Sequence, residues 1–291
     1  MPEIRVLVDC RTILGESPIW DVDEERLYWI DSFGKRIYRS TITGTELKTW
    51  DVPGKIGSMA LRARGGAILS LESGFHAFDL ATGKASPIAD PEADVATTRL
   101  NDGKVDRQGR FVAGSMDMDE ANPKGSLYRV DVDLSIHKLE EGIVCSNGPC
   151  WSVDGKTFYF ADTWADEICA YDYNTDTGSI SNKRPFASFR EGVGAPDGAT
   201  IDEEGFLWSA VAYGGELRRF APDGSLDRRV EMPVRNVTSL MFGGPNLDVL
   251  YVTSAATSPL ARFPDDGRLG GSLFEIRGLG VRGVPERRFL G

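Results

Sequence analysis

The fold is decided by the stretch Glu16-Ser17-Pro18-Ile19-Trp20-Asp21, which leads through a short turn to Leu27-Tyr28-Trp29-Ile30-Asp31. Both halves contain aromatic and β-branched residues, and the residues between them are mostly charged. This pattern is typical of two antiparallel strands joined by a turn. Amphipathic helical periodicity is almost absent from the rest of the chain, so the sequence predicts an all-β protein.

The same strand–turn–strand phrase occurs six times along the chain. The copies begin at Glu16, Gly57, Asn101, Asn147, Asp197 and Thr238, at intervals of 41, 44, 46, 50 and 41 residues. A period in the forties is typical of a propeller with one four-stranded blade per repeat. We therefore predict that residues 1–291 form a single domain, a six-bladed β-propeller with four-stranded blades. A β-sandwich is the alternative, but its strands would not carry one phrase six times.

The two ends of the chain are expected to share the last blade. The segment from residue 238 to the end, taken with the first fifteen residues, is longer than one repeat period. Pairing of the two ends would close the ring and leave no open sheet edge between the first and last blades.

Composition and charge exclude several classes of partner. The chain has 44 acidic and 33 basic residues, a net charge of −11, which disfavours nucleic-acid binding. No apolar run approaches 18 residues and no secretory signal is visible, so we expect no membrane span and a cytoplasmic location. The four cysteines lack CxxC spacing and are expected to be free thiols. Because a closed propeller needs no partner, we expect a monomer or a weak homo-oligomer.

A polar or small residue stands four positions before an apolar anchor in every copy of the repeat. The pairs are Glu16/Trp20, Gly57/Leu61, Asn101/Val105, Asn147/Trp151, Asp197/Ile201 and Thr238/Phe242. Equivalent positions in successive blades lie at one radius and height, so we expect these side chains to converge at the central channel. Two carboxylates and two amides brought together would repel and lack partners unless a cation is bound.

The oxygen-rich set suits a hard divalent cation such as Ca²⁺, Mg²⁺ or Mn²⁺, and Zn²⁺ and Fe²⁺ are also compatible. The alternative is that these residues only form turns, because Asn-Gly at 147–148 and Asp-Gly at 197–198 are common turn dipeptides. Four polar residues in one register of the repeat favour the metal site over that interpretation.

Five segments, in chain order, carry a resemblance to a known family. They are residues 14–20 (LGESPIW), 99–106 (RLNDGKVD), 146–152 (SNGPCWS), 196–202 (PDGATID) and 238–244 (TSLMFGG). The chain resembles the gluconolactonase/regucalcin-like sugar lactonases, also called the senescence-marker-protein family. The matches continue to residues 278–283, so the resemblance covers essentially the whole chain.

The resemblance implies a divalent metal held by Glu16, Asn147 and Asp197. It implies that Arg99 and Asn101 hold the sugar lactone, which moves Asn101 from metal ligand toward substrate contact. A carboxylate after Gly114-Ser115-Met116 is implied as a further contact; counting places it at Asp119, with Glu120 as the alternative. The implied reaction is hydrolysis of an aldonolactone, such as a glucono-, galactono- or pentonolactone, to the aldonic acid.

The chemistry expected of such a site does not use a serine nucleophile. The chain has two histidines, His76 and His137, both outside the converging register, and no Gly-x-Ser-x-Gly motif. We therefore expect water activated at the metal, with Asp197 as general base. Trp164 and Tyr213 either form a wall of the pocket or belong to ordinary blade packing, which is the interpretation we favour.

Three other functions are compatible with this architecture. One is a different esterase or a phosphotriesterase on the same metal propeller, since a fold does not determine a function. A second is a calcium-binding regulatory protein, although EF-hand loops are absent from the sequence. A third is a platform for protein interactions with a vestigial metal site. The polar residues Arg99 and Asn101 favour a hydroxylated substrate.

Overall fold

The computed structural model describes residues 2–291 as twenty-four β-strands in six antiparallel sheets, with 3₁₀ helices at Thr163–Ala165 and Gly267–Leu269. Blades 1 to 3 consist of β2 (Gly15–Asp21), β3 (Arg26–Asp31), β4 (Arg36–Ser40), β5 (Lys48–Asp51); β6 (Ile56–Leu61), β7 (Ala67–Leu71), β8 (Gly74–Asp79), β9 (Lys84–Ala89); and β10 (Thr98–Val105), β11 (Phe111–Asp117), β12 (Gly125–Val130), β13 (Ile136–Ile143). Blades 4 to 6 consist of β14 (Ser146–Trp151), β15 (Thr157–Asp162), β16 (Glu167–Tyr173), β17 (Ile180–Ser188); β18 (Ala195–Ile201), β19 (Leu207–Ala212), β20 (Glu216–Phe220), β21 (Leu226–Glu231); and β22 (Val237–Gly243), β23 (Val249–Ser254), β24 (Leu273–Arg277), β1 (Glu3–Val8). Within residues 2–291, no helix has the length and apolar character needed to cross a bilayer.

The sixth blade is built from both ends of the chain. Its strand order is β1-β24-β23-β22, and β1 pairs antiparallel with β24, so that Ile4 lies opposite Ile276. The other five blades are meanders of four consecutive strands. The prediction of six four-stranded blades with a shared last blade is therefore confirmed.

The first strand of each repeat lines the central axis. Strands β2, β6, β10, β14, β18 and β22 each contact the next, and β22 contacts β2, so the ring is complete. All six repeat positions lie on these innermost strands. The six apolar anchors are all buried, which explains why the spacing between polar residue and anchor is preserved.

Every innermost strand departs from regular pairing at the repeat position. The register with the second strand of the blade shifts between Glu16 and Ile19, and the same irregularity occurs in the other five blades. A bulge leaves a residue unpaired and turns its side chain, so here it can direct a polar group toward the axis. In β14 the bulge includes Gly148, directly after Asn147, which has a positive φ of 59° that glycine adopts without strain. A Cβ there would lie 2.7 Å from the Asp197 carbonyl oxygen, so glycine is required on steric grounds as well.

The hydrophobic core is divided into six clusters, each between two neighbouring blades. Between blades 5 and 6, for example, Trp208 of β19 and Phe242 of β22 meet edge to face at 5.8 Å. Because each blade packs face to face against the blade on either side, both faces of its sheet are buried. No blade therefore has a core of its own, and the ring is stabilised as a whole.

Residues 278–291 cross the end of the ring where the innermost strands finish. Five backbone hydrogen bonds tie this tail to blades 6, 5, 2 and 3: Gly283 N to Leu247 O, Glu203 N to Arg282 O, Phe289 N to Leu61 O, Ala63 N to Phe289 O and Leu290 N to Gly109 O. The carboxylate of Glu286 pairs with Lys104 at 3.5 Å and with Arg107 at 3.8 Å. The tail therefore lies across the channel at the end opposite to the starts of the innermost strands.

We predict that the tail stabilises the ring through Phe289. Its side chain is 0% exposed and lies near Phe111, whereas the neighbouring Leu290 is 47% exposed. Phe289→Ala should lower the free energy of unfolding by about 3–5 kcal/mol, the usual cost of a phenylalanine-sized cavity. Leu290→Ala is the matched control and should change it by less than about 1 kcal/mol. Chemical denaturation measures both, and equal effects would contradict a tail anchored in the core.

Candidate metal and substrate site

A cavity of about 410 Å³, including its open mouth, lies at the end of the channel where the innermost strands begin. Six of the seven residues proposed from the sequence line it: Glu16, Arg99, Asn101, Glu120, Asn147 and Asp197. Glu16, Asn147 and Asp197 come from blades 1, 4 and 5, and the other three come from blade 3 or the turn after β11. The structure thus brings together residues that are far apart in sequence.

Asp119 is the residue that the structure does not bring to the cavity. It is exposed in the turn after β11 and does not line the cavity. Glu120, with a positive φ of 50°, turns inward, and Trp164 Nε1 donates a 2.8 Å hydrogen bond to its Oε2. Burial raises the pKa of Glu120, against the lowering effects of Trp164 and Arg99. The sequence could not decide between Asp119 and Glu120; in the structure, Glu120 is the one that lines the cavity.

Glu16 and Asp197 present two buried carboxylates to one space with little compensation from the protein. Burial raises the pKa of Glu16 well above its ordinary value, and the charges of Asp197 and Asp102 raise it further. Burial likewise raises the pKa of Asp197, followed by the charges of Asp102 and Glu120. Within residues 2–291, no side chain donates a hydrogen bond to either carboxylate; the compensating groups are the backbone amides of Ser17 and Gly198 and, for Glu16, the charge of Arg99.

Asp102 lies one residue beyond the repeat position and lines the channel between the innermost strands, and the sequence did not point to it. It is buried, and its two oxygens accept hydrogen bonds from Gly103 N at 2.8 Å and Gly148 N at 2.9 Å. Its negative charge acts on both Glu16 and Asp197. The only signal in the sequence was its place in the segment that carries Asn101.

A chain of hydrogen bonds fixes the polar groups on the other side of the cavity. Arg99 Nη1 donates to Asn101 Oδ1 at 2.7 Å, and Asn101 Nδ2 donates to Asn147 Oδ1 at 3.2 Å and to Ser146 O at 2.9 Å. Asn147 Nδ2 in turn donates to Thr163 Oγ1 at 2.8 Å. Burial lowers the pKa of the Arg99 guanidinium, which has no carboxylate partner within 4.0 Å among the residues described.

Two aromatic residues form the outer wall, so the interpretation of Trp164 and Tyr213 as ordinary blade packing was wrong. Both line the cavity, and their rings stack at 6.3 Å. Phe263, from the connection between β23 and β24, stacks on Tyr213 at 3.8 Å, and Arg262 lies over the Trp164 ring at 4.6 Å. The wall depends on contacts between three blades, which the position of each aromatic in its own repeat does not reveal.

The donors present fit a hard divalent cation. The two carboxylates, which accept no side-chain hydrogen bond, and the amide oxygen of Asn147 are the ligand types that such ions prefer. Considering residues 2–291, the structure contains no cluster of three or more His, Cys, Asp or Glu side chains suited to a metal, so the amide is essential to the set. Neither histidine lines the cavity: His76 is buried against Gly74 O at 3.1 Å, and His137 lies beside Asp131. A cation at this cavity stays a prediction that the donor chemistry favours.

Comparison with known proteins assigns the chain to a family. The sequence profile of the SMP-30/Gluconolactonase/LRE-like region matches residues 14–256, which include all six innermost strands and all seven proposed site residues. The chain belongs to this family. The resemblance seen in the five sequence segments is therefore confirmed, and membership in the SMP-30/Gluconolactonase/LRE-like family points to lactone hydrolysis or calcium binding.

The relatives match over the whole propeller. Regucalcin of Xenopus laevis is 35% identical over 285 residues, covering 96% of this chain and 95% of the relative. A solved luciferin-regenerating enzyme superposes with a TM-score of 0.95 at 32% identity, covering 100% of both chains. A calcium-binding protein, regucalcin, from Agrobacterium tumefaciens superposes with a TM-score of 0.91 at 27% identity, covering 98% of this chain and 96% of that one. The SMP-30/Gluconolactonase/LRE-like family thus includes proteins named for enzymatic roles and for calcium binding.

The raised pKa of Asp197 predicts that the site costs stability in the absence of a cation. A carboxyl whose pKa is raised on folding destabilises the folded state above the unfolded pKa, ordinarily near 3.8, and the cost levels off above the folded pKa. In excess chelator, Asp197→Asn should therefore melt at a higher temperature than the wild type at pH 8. Each kcal/mol of relief should raise Tm by about 2 °C in a protein of this size. The difference should shrink as the pH falls toward 4.

Asp154→Asn is the matched control for this pH series. Asp154 is a turn residue whose pKa is lowered, chiefly by the hydrogen bond from Ser152, so its ionised form favours folding. Its substitution should lower Tm or leave it unchanged at pH 8, the opposite sign to Asp197→Asn. Thermal melts of the three proteins from pH 4 to pH 8 test this, and a lower Tm for Asp197→Asn at pH 8 would contradict the predicted cost.

Proposed function

We propose that the protein hydrolyses a sugar lactone, of the aldonolactone type, to the aldonic acid at a divalent cation held by Glu16, Asn147 and Asp197. The observation that carries the proposal is the two-sided cavity. Carboxylates without side-chain hydrogen bonds and an oriented amide occupy one side, and Arg99, Asn101 and Glu120 occupy the other. Family membership supports the same chemistry.

The substrate side suits a small molecule with many hydroxyl groups. Arg99 retains free N–H donors after its bonds to Asn101 Oδ1 and Leu100 O, and Glu120 has one carboxylate oxygen that Trp164 does not engage. A polyhydroxylated ring presents both donors and acceptors, so it can satisfy both groups at once. Arg99 would bind hydroxyl or ester oxygens, and Glu120 would accept a hydrogen bond from a sugar hydroxyl.

Hydrolysis of a cyclic ester needs a nucleophilic water and stabilisation of the oxyanion that forms at the carbonyl oxygen. The bound cation would stabilise the negative charge that develops on the carbonyl oxygen. Asp197, which like Glu16 has no side-chain hydrogen bond to occupy its carboxylate, is the base in this scheme and would accept the proton of the attacking water. Arg99 and Asn101 hold the ring so that the carbonyl carbon faces the water.

A calcium-binding role is the second candidate. It is favoured by the structural likeness to a protein described as a calcium-binding regucalcin and by the hard oxygen donors of the cavity. Such a role needs the ligands but does not need Arg99, Asn101 and Glu120 at the same cavity. An esterase or phosphotriesterase on the same metal site would need the cation but would gain less from these polar groups.

Asp197→Asn should lower the rate of lactone hydrolysis by at least about a hundredfold while the propeller stays folded, because a general base typically contributes that much. Glu16→Gln should mainly lower the affinity of the site for the cation. The measurement is acid release from gluconolactone, galactonolactone and pentonolactones with Ca²⁺, Mg²⁺, Mn²⁺, Zn²⁺ or Fe²⁺, with a chelator titration for each variant. Near-normal turnover of cation-loaded Asp197→Asn would contradict its role as base. Turnover of a phosphotriester but of no lactone would favour the other hydrolase.

Glu120→Gln and Asp119→Asn form a matched pair for the substrate side. The two residues are adjacent and both carry a carboxylate, but one lines the cavity and the other is exposed. We expect Glu120→Gln to lower kcat/KM by about tenfold or more, since a hydrogen bond to a charged acceptor is worth roughly 1.5–3 kcal/mol. Asp119→Asn should leave kcat/KM unchanged. A larger loss in Asp119→Asn than in Glu120→Gln would show that the turn binds substrate in the other register.

A further inference from the structure

Thr163 stands directly behind the predicted ligand Asn147. It is the first residue after β15, is 4% exposed, and has a hydroxyl with two partners, Pro196 O at 3.0 Å and Asn147 Nδ2 at 2.8 Å. A proline carbonyl can only accept, so the single hydroxyl hydrogen of Thr163 goes to Pro196. The hydroxyl oxygen must therefore accept the hydrogen bond from Asn147.

This proton count decides which way the Asn147 amide faces. With Nδ2 directed at Thr163, Oδ1 is the atom that faces Asn101 and the cavity. The other end of the hydrogen-bond chain agrees, because Arg99 can only donate and so directs Asn101 Oδ1 toward itself and Nδ2 toward Asn147. The orientation of the amide, usually an assumption, is thus fixed by groups that have a single possible role at each end.

We propose that Thr163 is a positioning residue that holds the oxygen of Asn147 toward the cation. The role rests on the metal site of the proposed function. An amide has one oxygen and one nitrogen of nearly equal size, and only the oxygen can bind a cation. A group that accepts from the nitrogen therefore selects the binding orientation and reduces the reorganisation needed when a cation enters.

Blade 1 has a hydroxyl residue at the position equivalent to Thr163, but the ligand of blade 1 does not need to be oriented. Ser32 follows β3 as Thr163 follows β15, and its backbone N donates to Leu14 O at 2.7 Å, as Thr163 N does to Cys145 O at 3.0 Å. Ser32 is 1% exposed, yet its hydroxyl has no hydrogen-bond partner within residues 2–291. The ligand of blade 1 is Glu16, whose carboxylate has two equivalent oxygens. A carboxylate needs no selection between its ends, whereas the amide of blade 4 does.

The two equivalent hydroxyls provide a matched experiment. Thr163→Val keeps the shape but removes the acceptor, Thr163→Ser keeps the hydroxyl, and Ser32→Ala removes a hydroxyl that binds nothing. Calorimetric titration of chelator-stripped protein with Ca²⁺ and with Mn²⁺ measures cation affinity without any substrate. We expect Thr163→Val to lower the affinity about ten- to a hundredfold, the usual effect of losing a group that orients a metal ligand. Thr163→Ser and Ser32→Ala should stay within about threefold of the wild type.

Three results would overturn the proposal: wild-type affinity in Thr163→Val, equal losses in Ser32→Ala and Thr163→Val, or no rescue by Thr163→Ser. Thermal melts establish that each variant is folded, and Thr163→Ala replaces Thr163→Val if the valine side chain prevents folding. Hydrolysis is measured separately. A wild type that binds cation but opens no lactone refutes the proposed function while leaving the role of Thr163 to be judged by titration. A wild type that binds neither cation refutes both.

Discussion

The pairing of β1 with β24 is the interaction on which the rest of the structure depends. It joins the two ends of the chain in one blade and completes a ring in which each innermost strand contacts two others. The three predicted metal ligands come from blades 1, 4 and 5; blades 4 and 5 pack directly on each other, whereas blade 1 is held at a fixed distance from both only through the ring. Because the core consists of clusters between blades, an opening at any seam would separate the ligands and expose apolar surface together. Closure thus couples stability to the geometry of the cavity.

The cavity itself works against folding. Burial raises the pKa of both Glu16 and Asp197, and the charge of Asp102 raises both further. The backbone can tolerate this arrangement because bulges in the innermost strands turn the side chains inward without loss of the surrounding ladders. Strain of this electrostatic kind is common where a protein is built to hold an ion, since the ion removes the cost that its binding site imposes.

Much of this site could be predicted from the sequence because a repeat converts sequence register into position in space. Glu16, Asn101, Asn147 and Asp197 were found in this way, and each lies on an innermost strand at the cavity. The register of the repeat does not predict which side chains of the turns reach the cavity. The choice between Asp119 and Glu120 depends on a positive φ at one residue, and Trp164 and Tyr213 reach the cavity through packing between blades. Thr163 gives no chemical signal in sequence, because its role comes from a hydrogen bond to a carbonyl of the next blade.

The tail across the far end of the channel has a consequence for the movement of molecules. Residues 282–290 form backbone hydrogen bonds with four blades there, Arg288 pairs with Asp21 of blade 1, and Glu286 pairs with Lys104 of β10 and with Arg107 of the turn that follows it. The tail thus covers that end of the channel, and Trp164 and Tyr213 line the cavity at the other end. In the proposed function a lactone would enter past these two aromatic residues, and the acid formed from it would leave by the same mouth before the next molecule enters. The exchange of acid for lactone at this mouth would then be a step of the proposed cycle in addition to the opening of the ester.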